Sequence, residues 1–219
     1  MEPGGGCVVE FGNWNCVVGQ SMLTQMTQRL RQKSTFEGAI QTILDDVIAL
    51  HGAEYGNIQL PIGDELVIAA QRGLSAPFLK TFRRVKKGQG CACGRAMRLG
   101  QPVIVSDVDT DPEYAAFRQD AKTAGYRAVQ STPFFTKNGK LLGLVSTLFA
   151  QVHEPTPIEM QTLRTYNVFA AEYLDGLLGG TPVAVKAEQM SQSLYADLSE
   201  QPLHRATPAS DRHIHRNQI

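Results

Sequence analysis

Two hydrophobic rhythms alternate along this chain. Met22, Met26 and Leu30, and then Phe36, Ile40, Ile43, Leu44, Val47 and His51, recur at the spacing of an amphipathic helix, whereas Ile58, Leu60, Ile62 and then Leu66, Ile68, Ala70 recur every second residue. The first rhythm predicts a helix over 21–33 and another from 34 to about 51. The second predicts strands over 56–62 and 65–71, folded back at Gly63-Asp64. Ser34-Thr35-Phe36-Glu37 has the pattern of a capping box, with the Ser34 hydroxyl on an early backbone N–H and Glu37 reaching back. His51 falls at the end of its helix, where the dipole favours a cationic side chain.

A short helix is expected over 75–82. Gly88-Gln89-Gly90 interrupts the chain, helical turns over 93–99 stop at Gly100, and Val103 and Val105 mark a strand over 101–107. Asp111-Pro112 reads as an acidic N-cap with proline in the first helical position; Tyr114, Phe117, Ala121 and Ala124 form the stripe of that helix and Gly125 ends it. Asn138-Gly139 then separates two strands, 127–136 and 140–150, and predicts a hairpin with a type I′ turn. The second strand is apolar on both faces, through Leu142, Leu144, Leu148 and through Leu141, Val145, Phe149, so it should be central and covered on both sides. Ser131, Ser146 and Thr147 are hydroxyls in that buried setting, and each needs backbone, water or ligand as a partner. Thr156-Pro157-Ile158-Glu159 opens a helix running to about Leu178.

The expected organisation is a flexible segment over 1–20, one domain over 21–178, and a tail over 179–219 that is disordered or bound by a partner. With 219 residues there is room for one well-cored domain with extensions. Twenty-one basic and 21 acidic residues cancel, so no bulk charge draws the chain to nucleic acid or to an anionic membrane. The local run Lys80, Arg83, Arg84, Lys86, Lys87 reads as a solvated face, with an anion or partner site as its sharper alternative. No apolar run reaches the length of a membrane span and the start lacks the pattern of a secretory signal, which leads to an expectation of a cytoplasmic protein with reduced thiols. Its cysteines are Cys7, Cys16, Cys91 and Cys93. His213 and His215 have the spacing of a metal pair but no fixed scaffold, so no metal is expected there.

The predicted element order, with hairpins at both ends of one sheet, makes an α/β sandwich with a central, mostly antiparallel sheet flanked by helices. Five motifs then carry a resemblance: Gly90-x-x-Cys93-Gly94-x-Ala96; Val103-x-Val105-x-Asp107-Val108; Asp111-Pro112; Ala124-Gly125-Tyr126-Arg127-Ala128-Val129-x-Ser131-Thr132-Pro133; and Gly139-x-Leu141-x-Gly143-x-x-Ser146-Thr147. Over about 35–178 the chain resembles GAF domains of bacterial sensor histidine kinases and related signalling proteins, which share a GAF/PAS-like sheet. The resemblance implies a sensory module with a small-molecule pocket between the sheet and the helices beside it, working as a homodimer through terminal helices or with a signalling partner. On this reading the ligand-facing candidates are Cys91, Cys93, Asp107, Tyr114, Phe117, Arg118, Tyr126, Ser131 and Ser146, with Arg127 beside them. Neither the ligand nor any cofactor is identified by the resemblance.

The residues associated with cyclic-nucleotide-binding members are missing, and no histidine adjoins Cys91-Ala92-Cys93 as bilin attachment would require. Cys93-Gly94 is similar to one cysteine position of the free methionine-R-sulfoxide reductases, GAF-like enzymes that use a thiolate and a resolving thiol. Their catalytic cysteine would be expected within 113–119, where this chain has none. The expectation is therefore a sensor without catalysis, with a thiol-based redox sensor or reductase-like enzyme using Cys91 and Cys93 as the alternative.

Overall fold

The computed structural model describes residues 11–200, so the glycine-rich start, Cys7, His213 and His215 lie outside the described residues. Helices α1 (Phe11–Arg31) and α2 (Phe36–His51) lead into strands β1 (Tyr55–Ile62) and β2 (Glu65–Arg72). Helix α3 (Ala76–Thr81), strand β3 (Arg84–Lys86), helix α4 (Ala92–Leu99) and strand β4 (Val103–Val105) follow. A 3-10 turn (Ala115–Phe117) enters α5 (Arg118–Ala124), and the hairpin β5 (Ala128–Phe135) and β6 (Leu141–Phe149) precedes α6 (Pro157–Leu178) and α7 (Val183–Glu200).

The six strands run in the order β3-β2-β1-β6-β5-β4, every neighbouring pair antiparallel. β1 and β6 are central, and both are buried along most of their length because each face of the sheet is roofed. On one face Met26, Ile40, Ile43, Val47, Leu163, Tyr166 and Leu174 from α1, α2 and α6 pack against Ile58, Leu60, Phe134 and Val145. On the other, Phe78, Phe82, Ala96, Tyr114 and Ala121 pack against Ile68, Val129, Leu144 and Leu148. A network centred on the buried Asp46 stitches the first layer together: Arg29 of α1 pairs with Asp46 of α2 at 2.6 Å, and the Tyr166 hydroxyl of α6 donates to the other Asp46 oxygen at 2.7 Å.

Several local expectations are met and others corrected. Thr156 and Glu159 form the reciprocal capping box of α6. At α2 the cap is Thr35, not Ser34: its hydroxyl accepts from Gly38 N–H at 3.1 Å. That places Glu37 one position too early to reach back, and it pairs instead with Lys186 of α7. The Asn138-Gly139 turn is not type I′, because only Gly139 has positive φ (79°). Gly139 N–H bonds to Thr136 C=O, leaving Lys137 and Asn138 as the ordinary central residues and Gly139 as the left-handed residue that closes a three-residue loop. The helix expected from Asp111 starts as a 3-10 turn, with the Asp111 carboxylate accepting from Tyr114 N–H.

The largest differences lie at the ends. α1 begins ten residues before the predicted Ser21, inside the segment expected to be flexible. Its approach to α6 is close: a Cβ on Gly19 would sit 2.9 Å from the Ile158 side chain. The stretch expected to be disordered or borrowed is helical over Val183–Glu200, and α7 packs on β1 and β2 with Ala187 fully buried. Its weak hydrophobic period is offset by directed contacts, since Glu188 pairs with Arg84, Lys186 with Glu37, and the Tyr195 hydroxyl donates to Leu79 C=O. The basic run is absorbed in the same way. Arg84 bridges Glu65 and Glu188, Lys87 pairs with Asp64, and Arg83 stacks over Tyr195. No helix among the described residues is long and apolar enough to cross a membrane.

Candidate functional site

Between the sheet and α3, α4 and the turn before α5 lies a cavity of about 20 Å³, room for roughly one water molecule. Its floor is the sheet, with Asn57 and Gln59 from β1, Val129 and Ser131 from β5, and Ser146 and Leu148 from β6; its roof is Phe78, Phe82, Ala92, Cys93 and Tyr114. Ser131 and Ser146 face each other across the hairpin and share a 2.7 Å hydrogen bond. Each hydroxyl thus keeps two positions free for further partners. The Asn57 Oδ1 and Gln59 Oε1 atoms are buried without any hydrogen-bond partner, so the wall carries two unsatisfied acceptors beside a hydroxyl pair.

Thiols and phenols close the roof. Cys91 caps the start of α4 and Cys93 lies in its first turn, which holds the two sulfurs 3.5 Å apart and both side chains buried. The hydrogen bond with Cys93 lowers the pKa of the Cys91 thiol, with Arg95 assisting, while the same bond and burial push that of Cys93 well up. The more acidic thiol is therefore Cys91, and once it ionises Cys93 can only donate to it. Behind them the Tyr114 and Tyr126 hydroxyls share a 2.9 Å hydrogen bond, and burial raises both phenol pKa values. Phe117 packs against both Phe82 and Tyr114.

A profile described as the GAF domain matches residues 33–167, more than half of the chain. The chain belongs to the GAF family. A search of curated proteins finds no match. Among solved structures, this GAF domain is similar to free methionine-R-sulfoxide reductase from Neisseria meningitidis in complex with its substrate (18% identity, TM-score 0.62, covering 75% of this chain and 93% of that one). It is also similar to the GAF domain of a phosphoenolpyruvate-protein phosphotransferase from Coxiella burnetii (20%, 0.62, 72% and 93%). A putative GAF sensor protein from Burkholderia vietnamiensis superposes at 16% identity and TM-score 0.59, covering 80% of this chain and 98% of that one.

Within the GAF fold, the structure brings Cys93, Tyr114, Ser131 and Ser146 together on the cavity, with Cys91, Phe117 and Tyr126 in the layer behind. It places the remaining candidates elsewhere. Arg118 donates to the Val108 and Asp111 carbonyls, which ties down the loop before α5. Asp107 forms a two-point pair with Arg127 on the surface and accepts from Asp109 N–H, and the Arg127 guanidinium holds its carboxyl below the usual carboxylate range. Asn57 and Gln59 were not anticipated as site residues. Their one sequence signal is that they alternate with Ile58 and Leu60 on a strand whose second face would have to be buried as well.

Glycines let this wall close tightly. A Cβ on Gly94 would stand 2.5 Å from the Gln89 carbonyl, and one on Gly90 2.5 Å from the Glu113 carbonyl. The 88–94 loop is thereby pressed against α4 on one side and the 3-10 turn on the other.

Proposed function

We propose that this GAF domain is a cytoplasmic sensory module of signal transduction that binds a small polar molecule in the cavity beneath α3, α4 and the 3-10 turn, and catalyses no reaction. The carrying observation is the pair of unpartnered buried acceptors, Asn57 Oδ1 and Gln59 Oε1, next to the Ser131–Ser146 pair. Leaving such groups unsatisfied costs about 1–3 kcal/mol each, a cost that a ligand donating two hydrogen bonds would relieve. Binding anything larger than water requires Phe78 and Phe82 to move outward with α3, a six-residue helix, and Tyr114 with its 3-10 turn. That motion is the proposed signal, and α1 and α6 are the proposed dimer surface that passes it to a partner. Native mass spectrometry of the purified chain, followed by a thermal-shift panel of small polar metabolites, tests the reading. A retained mass or a metabolite that raises Tm, lost in Ser131→Val, is expected; no retained mass with a flat panel would refute it.

A second reading rests on the buried thiol pair. Two solved structures of similar fold are free methionine-R-sulfoxide reductases, and Cys91 and Cys93 have the proximity that a dithiol switch needs. In that reading a peroxide oxygen is attacked by the Cys91 thiolate, water leaves, Cys93 attacks the resulting sulfenic acid, and a second water leaves as the disulfide forms. Peroxide treatment should then remove two hydrogens by mass and make both thiols resistant to alkylation. Overoxidation of a single sulfur, or no reaction in the folded protein, would discard it.

A further inference from the structure

The opposite face of the sheet holds a second cavity that the sensory reading does not use. It measures about 190 Å³, space for roughly six waters or one small ring, and lies between the C-terminal half of β5, the end of α4 and the first half of α6. Pro133, Phe134, Met160 and Leu163 supply apolar walls. Among them sits Asn167, 4% exposed, whose side-chain oxygen and nitrogen both lack any hydrogen-bond partner. An amide is an odd choice for an apolar helix face, because leucine there would fill space without burying two unmet polar atoms.

The adjoining groups are also unspent. Thr132 accepts from Gln130 Nε2 and keeps its own proton to donate. Arg164, one turn before Asn167 on the same side of α6, stands exposed at the cavity mouth and makes no ion pair among the described residues. A donor beside an acceptor, walled by apolar surface and entered past a guanidinium, is complementary to a planar ring with a lactam edge and an anionic substituent. The lactam C=O takes the Asn167 N–H, the lactam N–H gives to Asn167 Oδ1, and the anion meets Arg164.

We propose that the cavity between β5 and α6 is a second binding site, specific for a small lactam-bearing ring acid through Asn167, with Thr132 and Arg164 as supporting contacts. It is separate from the cavity containing Ser131 and Ser146, since Thr132 and Phe134 point to the α6 side of β5 while Val129 and Ser131 point to the other.

Uracil and orotate are suitable probes because they share the lactam edge and differ by a carboxylate. Titrated into the isotope-labelled full chain, both should shift the Asn167 side-chain amide resonances saturably, with orotate about tenfold tighter. Asn167→Leu, read at the backbone amides of the lining residues Thr132 and Val168, should show no saturable shift with either probe, whereas the parent shifts at both positions, and Arg164→Gln should remove the orotate advantage while leaving uracil unchanged. If Asn167→Leu does not fold, Thr132→Val replaces it and should weaken uracil binding severalfold. Absence of saturable shifts at the solubility limit, unchanged uracil binding in the variant tested, or shifts confined to Asn57 and Gln59 would each overturn the site. The last result would leave the sensory cavity standing.

Discussion

Acidification should loosen the domain through a single histidine. His51 ends α2, is 4% exposed, and shares a 3.0 Å hydrogen bond between Nδ1 and the Thr147 hydroxyl on central strand β6. Its Nε2 is buried without a partner. Burial is the main cause that lowers its pKa to about 4; Glu159 opposes the shift and His153, stacked on Phe149 at 3.7 Å, adds to it. The folded state therefore binds this proton less readily than the unfolded chain, whose value is near 6.5. Stability is fully present above that unfolded value and is lost as pH falls toward about 4. Between pH 7 and pH 5 the loss is about 2 kcal/mol, and it approaches about 3 kcal/mol once the folded-state group has titrated. Asp46, whose pKa burial raises, acts in the opposite direction, and because it is kept in His51→Gln its effect cancels when parent and variant are compared. Urea unfolding at the two pH values, on the parent and on His51→Gln, measures the difference. The glutamine keeps a hydrogen-bonding group near Thr147 but cannot ionise. The parent should lose about 2 kcal/mol more than the variant over that interval; equal losses in both would refute the assignment.

Three further outcomes follow from packing. Asn167→Leu should stabilise the ligand-free chain by about 1–3 kcal/mol, because it removes two unmet polar atoms, and should raise Tm by several degrees in calorimetry. Thr156→Ala should cost about 1 kcal/mol in urea unfolding, since it removes the hydroxyl that accepts from Glu159 N–H and donates to the Glu159 carboxylate, leaving only the backbone Thr156 N–H bond of the α6 capping box. Gly94→Ala should cost roughly 1–3 kcal/mol and speed amide exchange over 88–94, because the new methyl meets the Gln89 backbone rather than a side chain that can move aside.

Features written in local chemistry were legible in the chain. The hairpin, the α6 capping box, the two helices before the first strand and the serines of the cavity all follow from spacing and turn residues. Features that depend on who sits opposite whom were not. Asn57 and Gln59 look like an outward polar face until β1 is known to be a central strand paired with β6, with α3 and α4 roofing the face that these two residues occupy. Helix α7 has too weak a hydrophobic period to announce itself, and its place comes from Arg84, Glu37 and Leu79, each more than 100 residues away. Arg118 and Asp107 looked like ligand contacts because charges near a pocket invite that reading. Their actual partners, two carbonyls and Arg127, are choices of loop geometry that no periodicity encodes.

The shortness of the two outermost strands has its own consequence. β3 and β4 are three residues each, and β4 covers only Val129 to Ser131 of its neighbour. Arg84 and Lys86 point to solvent from β3, and the stretch of β5 that β4 leaves bare contains Pro133, which has no N–H to offer. Both margins of the sheet are thus poor templates for another strand, which guards against runaway edge-to-edge aggregation. Two copies of this fold would accordingly associate by apposing helices, so that torsion and sliding between helices, rather than growth of a shared sheet, would be the motions available for communication between them.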